Sequence, residues 1–166
     1  EIAAGLRDKP ALLHTDAVQG FLKVPFTVKS LGADYVAVSG HKLGGPKGVG
    51  ALYAGGKAKN ILPMLFGGGQ ESNLRPGTEA TAQIAGFARA AALRLEGLEE
   101  ISARMSACRD YARERLGEIP ELRFIGPADA PHILSVSLPG YPSQNIVGEL
   151  GEKGIYISAG SACHRG

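Results

Sequence analysis

The first candidate for chemistry is a lysine that directly follows a predicted buried strand. Lys42 ends the run Ser39-Gly40-His41-Lys42, which comes after the apolar segment at residues 35–39. In open α/β sheets, ligands bind beyond the carboxyl ends of the strands, where a desolvated lysine is a nucleophilic amine. Taken alone, Lys42 is better explained as a surface lysine in a glycine-rich loop. A catalytic role for Lys42 therefore needs the support of a second residue.

Asp16 is that second residue, because it also ends a predicted strand. The strand covers residues 12–16, and Gln19 comes three residues later. If the two strands pair in parallel, Asp16 and Lys42 open onto the same edge of the sheet. A carboxylate and an amine at one edge suit pyridoxal phosphate, whose aldehyde reacts with a lysine and whose pyridinium nitrogen pairs with an aspartate. Taken alone, Asp16 could equally be an acid that caps a turn.

The two cysteines have contrasting surroundings. Cys163 lies among small and polar residues, in the run Gly160-Ser161-Ala162-Cys163-His164, which predicts an exposed loop. A thiol there can ionise, and the neighbouring His164 and Arg165 favour the thiolate. The alternative is an inert surface cysteine. Cys108 lies instead on a long apolar helical stripe, so we predict that it is part of the core.

Composition and motifs exclude several classes of protein. The 166 residues are 44% hydrophobic and 20% charged, with a net charge of +2, as expected of a globular chain. Charges of both signs are interleaved, so no basic stripe indicates nucleic-acid binding, and no apolar run approaches the ~18 residues that span a membrane. Two cysteines do not make a disulfide framework and favour a reducing, cytoplasmic location. P-loop and GxGxxG motifs are absent, and the histidines lack the spacing of zinc ligands.

Short strands and loops alternate in the first half of the chain, which favours an α/β domain. Besides the strands at residues 12–16 and 35–39, residues 50–53 are a weaker third candidate. The continuous apolar runs, without alternation, predict strands that are buried on both faces. Residues 28–31 are predicted to form one helical turn, which Gly32 closes.

The second half is predicted to begin with a long helix and to end in a small α+β domain. A loop rich in glycine and proline at residues 67–77 precedes the helix, and Thr78 is the predicted N-cap. Apolar residues at steps of three and four continue to about Leu116, and Gly97 is placed to bend or divide the helix. We therefore expect residues 1–78 in one domain and residues 79–166 in another. The later predicted elements are strands at residues 122–125, 133–138 and 155–157 and a helix at residues 144–153, capped by Ser143 and stopped by Gly154.

Four segments, taken together and in this order, resemble the cysteine desulfurases. They are HTDAVQG, DYVAVSGHKLGGPKGVGALY, GGGQESNLRPGTE and SAGSACHRG. Cysteine desulfurases are pyridoxal-phosphate enzymes of aminotransferase class V and fold type I. The resemblance implies an α/β fold: the later part of a type I large domain with a mostly parallel sheet, then a long helix and a small α+β domain.

The resemblance also implies how the cofactor, pyridoxal phosphate, would be held. Lys42 would form the Schiff base with its aldehyde. Asp16 would hold the pyridinium nitrogen, and Gln19 would hydrogen-bond the phenolic oxygen. Ser39 and His41 would bind the phosphate group.

Two more residues have implied roles outside this set. Thr78 would reach the phosphate of the partner subunit's cofactor in a homodimer, where a hydroxyl at a helix N-terminus attracts an anion. Cys163 would attack the sulfur of the substrate, L-cysteine, which gives L-alanine and a persulfide on Cys163. The persulfide would then pass to a sulfur-acceptor protein for iron–sulfur clusters or thio-modification.

The resemblance covers less than half of a family member, so we expect a fragment that lacks the N-terminal half and the extreme C-terminus. Alone it is expected to be inactive, because the family's proton-shuttling histidine and the arginine for the substrate carboxylate would lie in the absent segments. Two alternatives stay open: another class V enzyme, such as a selenocysteine lyase or an aminotransferase, or a non-catalytic interaction module. Apolar surface is expected to be exposed and to favour self-association.

Overall fold

The computed structural model describes residues 2–55, 61–127 and 129–160. The chain divides into two compact units, Glu1–Ser102 and Ala103–Gly166. The domain boundary expected between residues 78 and 79 stays a prediction.

The described part of the first unit combines a small sheet with short and long helices. Its strands are β1 (His14–Asp16), β2 (Tyr35–Ser39) and β3 (Gly50–Ala54). Its helices are α1 (Ile2–Gly5), α2 (Val28–Leu31), α3 (Gln70–Asn73) and α4 (Thr81–Glu96), and α5 (Leu98–Leu116) begins here. These elements confirm the predicted α/β class.

Strand β2 is the centre of a three-stranded sheet. It pairs in parallel with β1, with Asp16 opposite Ala37, and antiparallel with β3, with Ser39 opposite Gly50. Asp16 and Lys42 were predicted to lie at the same sheet edge on the condition that these two strands are parallel, and β1 and β2 are parallel. Because the side chains of a strand alternate between faces, this register decides which residues reach each face of the sheet.

Asp34 ties the beginning of the parallel pair together. It is only 8% exposed, and its Oδ2 accepts a hydrogen bond from the Leu13 amide at 2.9 Å. The Asp34 amide donates to the Leu13 carbonyl at 2.8 Å, and its carbonyl accepts from the Gly55 amide at 2.9 Å. One buried residue thus links the approach to β1, the start of β2 and the end of β3.

The core of the first unit is small. Among the described residues, its buried apolar side chains are Ala17, Ala33 and Val36, packed against Leu13, Phe26, Leu31 and Val38. Strand β3 is exposed along its length. The prediction that all strands are buried on both faces is therefore wrong for β3, and it is also wrong for β1, where His14 and Asp16 are exposed. Among the described residues, both are edge strands that pair with β2 alone. Exposed apolar surface is present as expected, with Leu62, Met64 and Phe66 at 83%, 94% and 87% exposure, whereas self-association stays a prediction.

The single helical turn α2 forms as predicted because both of its ends are capped. Thr27 Oγ1 accepts a hydrogen bond from the Ser30 amide at 3.0 Å, and Ser30 Oγ accepts one from the Thr27 amide at 2.9 Å. Gly32, with φ of 62°, ends the turn in the left-handed conformation that glycine adopts at low cost.

The predicted loop at residues 67–77 contains a left-handed turn rather than a right-handed helix. In α3, Glu71, Ser72 and Asn73 have φ of 49°, 56° and 66°. Such backbone is unfavourable for residues with a side chain by roughly 1–2 kcal/mol each. The Gly77 amide donates to Gln70 Oε1 at 3.1 Å, which closes the loop.

Gly97 divides the long helical region into α4 and α5, as predicted. The predicted N-cap is wrong, because α4 begins at Thr81 after Ala80 and has no side-chain cap. The Thr81 amide bonds to the Glu79 carbonyl at 2.9 Å. Because of this tight turn, α4 begins three residues after Thr78, and Thr78 lies outside the helix.

The second unit holds most of α5, with β4 (Arg123–Phe124), β5 (Val136–Ser137) and α6 (Ser143–Glu152). Strands β4 and β5 pair antiparallel. Residues 155–157 form no strand, contrary to the prediction, since within the described residues β4 and β5 pair with each other and not with this segment. Pro142, not Ser143, is the N-cap residue of α6, while Gly154 follows its end with φ of 76° as expected.

Cys108 is exposed, so the prediction that it belongs to the core is wrong. It lines a cavity of about 290 Å³ together with Arg104, Arg109 and His132. The apolar stripe correctly predicted a helix, but α5 has no buried residue. The reason is that a helical pattern records which residues share a face and not how completely that face is covered.

Helix α4 packs closely on the 3₁₀ turn Gly40–Leu43, which follows β2. Glycines make the approach possible. A Cβ added to Gly40 would lie 3.3 Å from Phe87, and one added to Gly86 would lie 2.8 Å from Pro46. This packing holds the turn that carries Lys42.

We expect Gly40→Ala to lower the free energy of unfolding by about 1–3 kcal/mol, because a buried glycine would gain a methyl group without space for it. The new methyl would lie 3.1 Å from Val49 and 3.2 Å from the Pro46 carbonyl. Gly20→Ala is the matched control in the same unit, since its methyl would lie at ordinary contact distance, 3.6 Å from Phe26. Urea denaturation followed by circular dichroism measures both variants. Equal losses would contradict the packing described.

Candidate functional site

The parallel strands bring four of the predicted site residues to one edge of the sheet. Asp16 ends β1 and Ser39 ends β2, and the 3₁₀ turn carries His41 and Lys42 directly after β2. The carboxyl ends of two parallel strands lie at the same edge, which is where ligands bind in open α/β folds. The arrangement therefore has the topology of a ligand site.

Asp16 is exposed and uses half of its carboxylate to shape the chain after β1. Its Oδ1 accepts a hydrogen bond from the Val18 amide at 2.9 Å, which is an Asx turn. Among the described residues, Oδ2 accepts no hydrogen bond. Asp16 thus has one oxygen engaged in the turn and one oxygen that can hold a cation.

Gln19 and Lys23 are linked in the turn that follows β1. The Ala17 carbonyl accepts hydrogen bonds from the Gly20 and Phe21 amides at 3.0 and 2.8 Å, and the Gly20 carbonyl accepts from the Lys23 and Val24 amides at 3.0 and 2.9 Å, so residues 17–24 form two successive turns. Lys23 Nζ donates to Gln19 Oε1 at 3.0 Å between these turns. Gln19 is therefore held by a charged partner.

Electrostatics connect this turn to the one that carries Lys42. Burial lowers the pKa of Lys23, and the nearby charges of Arg94 and Lys42 lower it further. Lys42 itself is half-buried. The influence of its charge on Lys23 means that the turns after β1 and β2 lie within electrostatic reach of each other.

Ser39 and His41 form a polar pair at the end of β2. Ser39 Oγ lies 2.8 Å from His41 Nδ1. The Gly45 amide donates to the Gly40 carbonyl at 3.0 Å, and Gly44, with φ of 87°, closes the 3₁₀ turn. A hydroxyl next to an imidazole can donate hydrogen bonds to an anion.

Lys23 and Arg94 are residues that sequence reasoning missed. Arg94 Nε donates to the Leu22 carbonyl at 3.1 Å, and Leu22 has a left-handed φ of 53°. Lys23 follows Gln19 by four residues, but the left-handed Leu22 between them breaks any helical register, so helical spacing did not predict their contact. Arg94 lies 72 residues beyond Leu22, so no local pattern could have identified its contact.

Two predicted site residues are not brought to this group. Thr78 lies exposed in the loop between α3 and α4, and within residues 2–55, 61–127 and 129–160 no hydrogen bond links it to the other candidates. Cys163 lies outside the described residues.

The described ranges show neither a candidate metal site nor a candidate membrane-spanning helix. They contain no group of three or more His, Cys, Asp or Glu side chains that could hold a metal ion. No helix in these ranges combines the length and the apolar character needed to cross a membrane.

The sequence profile of the family Aminotransferase class-V matches residues 1–165. The chain belongs to this family. Human selenocysteine lyase is 41% identical over 98% of the chain, which covers 38% of that lyase. Putative cysteine desulfurase IscS 1 of Bacillus subtilis is 37% identical over 100% of the chain, which covers 44% of that protein. The class V chain thus spans about two fifths of the length of these curated relatives.

Solved structures agree with this assignment. The NifS-like protein from Rickettsia africae superposes with a TM-score of 0.87 at 33% identity, over 96% of this chain and 45% of that protein. The resemblance to cysteine desulfurases that the sequence motifs suggested is confirmed, as is the fold class.

The donor set at the sheet edge fits pyridoxal phosphate, the cofactor of class V aminotransferases. It consists of the Asp16 carboxylate, of which one oxygen is engaged in the turn, the half-buried Lys42 amine, the Gln19 amide and the Ser39–His41 pair of hydroxyl and imidazole. These groups match the pyridinium nitrogen, the aldehyde, the phenolic oxygen and the phosphate in turn. Gly44 and Gly48, which follow Lys42 in the chain, are unobstructed, since a Cβ added to either would meet nothing within 4 Å.

We expect Asp16→Asn to leave the stability of the cofactor-free protein almost unchanged, because the amide oxygen can still accept from the Val18 amide. Asp16→Ala is expected to lower the free energy of unfolding by about 0.5–1 kcal/mol, since it removes that acceptor. Urea titration of both variants and the wild type measures the difference. Indistinguishable stabilities for the two variants would mean that the Asx turn contributes nothing.

Proposed function

We propose that this chain is part of a cysteine desulfurase, which converts L-cysteine to L-alanine and places the released sulfur on Cys163. The observation that carries the proposal is the parallel pairing of β1 with β2, because it puts Asp16 at the same sheet edge as the Lys42 turn. The similarity to proteins named cysteine desulfurase in Bacillus subtilis and Clostridium botulinum supports the same function.

When bound, pyridoxal phosphate supplies an electron sink that weakens bonds around the substrate carbon. Lys42 provides the amine that anchors the aldehyde. The carboxylate of Asp16 keeps a proton on the ring nitrogen, and the amide of Gln19 donates to the phenolic oxygen. Ser39 and His41 donate to the phosphate, which fixes the ring against the edge of the sheet.

Cys163 is the proposed sulfur acceptor within the protein. Its thiolate attacks the substrate sulfur, so a sulfur–sulfur bond forms while the carbon–sulfur bond of L-cysteine breaks. The electron pair of the broken bond stays on carbon and is protonated, which gives L-alanine. One thiol and L-cysteine thus become one persulfide and L-alanine, and no external oxidant is consumed.

Other expectations complete the proposal. The persulfide is passed to a sulfur-acceptor protein of iron–sulfur cluster assembly or thio-modification in the cytoplasm. The protein acts as a homodimer, in which the exposed loop with Thr78 reaches the partner's cofactor phosphate. The exposure of Thr78 in the structure supports a contact outside this chain.

Selenocysteine lyase is the second candidate function. Its support is specific, because identity to the human lyase is 41%, against 37% to the Bacillus subtilis desulfurase over a similar share of the chain. Both reactions use the same anchoring of the cofactor, so the residues at the sheet edge do not separate them. The ratio of kcat/KM for L-cysteine to that for L-selenocysteine distinguishes the two reactions. A ratio strongly in favour of selenocysteine would reject the desulfurase.

We expect Lys42→Ala in the full-length protein to abolish the visible absorbance of the lysine-bound cofactor, because no other amine takes the place of Lys42 at the aldehyde. Borohydride reduction followed by peptide mass mapping should find the reduced cofactor on Lys42 in the wild type. Lys47→Ala, which changes another lysine in the same glycine-rich segment, is the control and should behave as the wild type. A reduced cofactor on Lys23 instead would reject the assignment.

We expect Cys163→Ser to keep the bound cofactor and to lose the persulfide, because serine cannot accept sulfur. Cys108→Ser is the matched control, since Cys108 and Cys163 are the 2 cysteines of the sequence and Cys108 is exposed. Alkylation with a persulfide-selective reagent after incubation with L-cysteine, read by mass spectrometry, checks both. Normal turnover by Cys163→Ser would remove Cys163 from the mechanism.

A further inference from the structure

We infer that Lys23 is a positioning residue that decides which end of the Gln19 amide is left to contact the cofactor. The inference rests on the proposed function, in which Gln19 donates a hydrogen bond to the phenolic oxygen of pyridoxal phosphate. Its basis is the contact of Lys23 Nζ with Gln19 Oε1 at 3.0 Å.

The two ends of an amide have opposite hydrogen-bonding character. The oxygen accepts and the NH₂ group donates, whereas a lysine ammonium only donates. Lys23 can therefore bond favourably to Oε1 and not to Nε2. With Oε1 engaged, Nε2 is the group that remains, and it is the donor that a phenolic oxygen requires. The reversed amide would bring Nε2 against the ammonium and present an oxygen to an oxygen.

The position of Lys23 is itself determined by the fold. The two successive turns of residues 17–24, with the left-handed Leu22 between Gln19 and Lys23, bring the two side chains into contact. Arg94 of α4 donates to the carbonyl of Leu22, the residue before Lys23, at 3.1 Å. Helix α4 thus clamps the backbone from which Lys23 reaches Gln19.

The charges around Lys23 reinforce the orientation. Arg94 and Lys42 are the positive groups that act on its ammonium, and burial removes part of its water. Because other cations lie near the Lys23 ammonium and it has lost part of its hydration, a hydrogen bond to a nearby acceptor oxygen stabilises it. Gln19 Oε1 is such an acceptor, so a reversed amide would turn NH₂ hydrogens toward an ammonium that Arg94 and Lys42 already repel.

The first experiment reads the amide directly in the cofactor-free full-length protein. The side-chain amide resonances of Gln19 are compared by NMR in the wild type, Lys23→Met, Lys23→Glu and the control Lys29→Glu. Lys29 is an exposed lysine on α2, so its variant makes the same charge change away from Gln19. Both Lys23 variants should shift these resonances and the control should not. Unchanged resonances in Lys23→Glu would overturn the inference.

The second experiment measures the dissociation constant of pyridoxal phosphate. Lys23→Met should weaken binding about twofold, because an amide free to take both orientations is competent half of the time. Lys23→Glu should weaken it by about tenfold or more, since a carboxylate attracts Nε2 and reverses the amide. Lys23→Arg, which keeps a cationic donor, should restore most of the affinity. Circular dichroism melts check that each variant is folded, and if Lys23→Glu is not, Lys23→Met and Lys23→Arg carry the comparison.

A double-mutant cycle that combines each Lys23 variant with Gln19→Leu separates two effects on the binding of pyridoxal phosphate. One is the orientation of the Gln19 amide by Lys23, and the other is a direct effect of the Lys23 charge on the cofactor. If Lys23 acts through the amide, each Lys23 variant should change affinity by less than about twofold once the amide is gone. Equal losses in the wild-type and Gln19→Leu backgrounds would overturn the inference. A wild-type protein that does not bind pyridoxal phosphate would sink the proposed function instead, and the NMR comparison would still decide whether Lys23 orients Gln19.

Discussion

The buried carboxylate of Asp34 is the interaction on which the candidate site depends. By binding the Leu13 amide while its own amide binds the Leu13 carbonyl, Asp34 holds β1 beside β2 before either strand begins. Asp16 then lies opposite Ala37 and ends its strand at the edge where the Lys42 turn starts. A shift of one residue would turn the side chains of β1 to the other face of the sheet. The chemistry of the edge thus depends on a hydrogen bond at the opposite end of the pair.

Helix α4 supports both turns that carry the site. It packs on the 3₁₀ turn through Phe87 against Gly40, and it reaches the segment after β1 through Arg94 and the Leu22 carbonyl. The two turns are separate in sequence, and a helix that touches both fixes the distance between them. A mutation in α4 can therefore change the geometry of the site without touching a ligand. This explains why a region with no chemically reactive residue matters to the arrangement of Gln19 and Lys42.

Features with local causes were predictable from the sequence, and features that depend on distant partners were not. The strand at residues 35–39 follows from its own apolar run, and α2 ends where Gly32 allows a left-handed turn. The apolar stripe wrongly predicts a core position for Cys108, because a stripe shows which residues share a face, but burial depends on what covers the face. The shared edge of Asp16 and Lys42 was predicted only on the condition that the two strands pair in parallel, and the structure meets that condition. The contact between Arg94 and Leu22 was not predictable, since it joins residues 72 positions apart.

Two lysines lie near one sheet edge, and the structure distinguishes them by what each amine contacts. Burial lowers the pKa of Lys23, with further effects from Arg94 and Lys42, which makes its amine easier to deprotonate. Its Nζ, however, is engaged with Gln19 Oε1 at 3.0 Å. Lys42 lies on a turn whose backbone is held by glycine packing, and no hydrogen bond to its amine is found in the described part of the chain. An anchoring amine has to be free and precisely placed, and of these two lysines Lys42 alone meets both conditions. The same hydrogen bond engages the Lys23 amine and the Gln19 amide. In the function proposed above, this one contact would therefore serve both the choice of the anchoring lysine and the recognition of the ring.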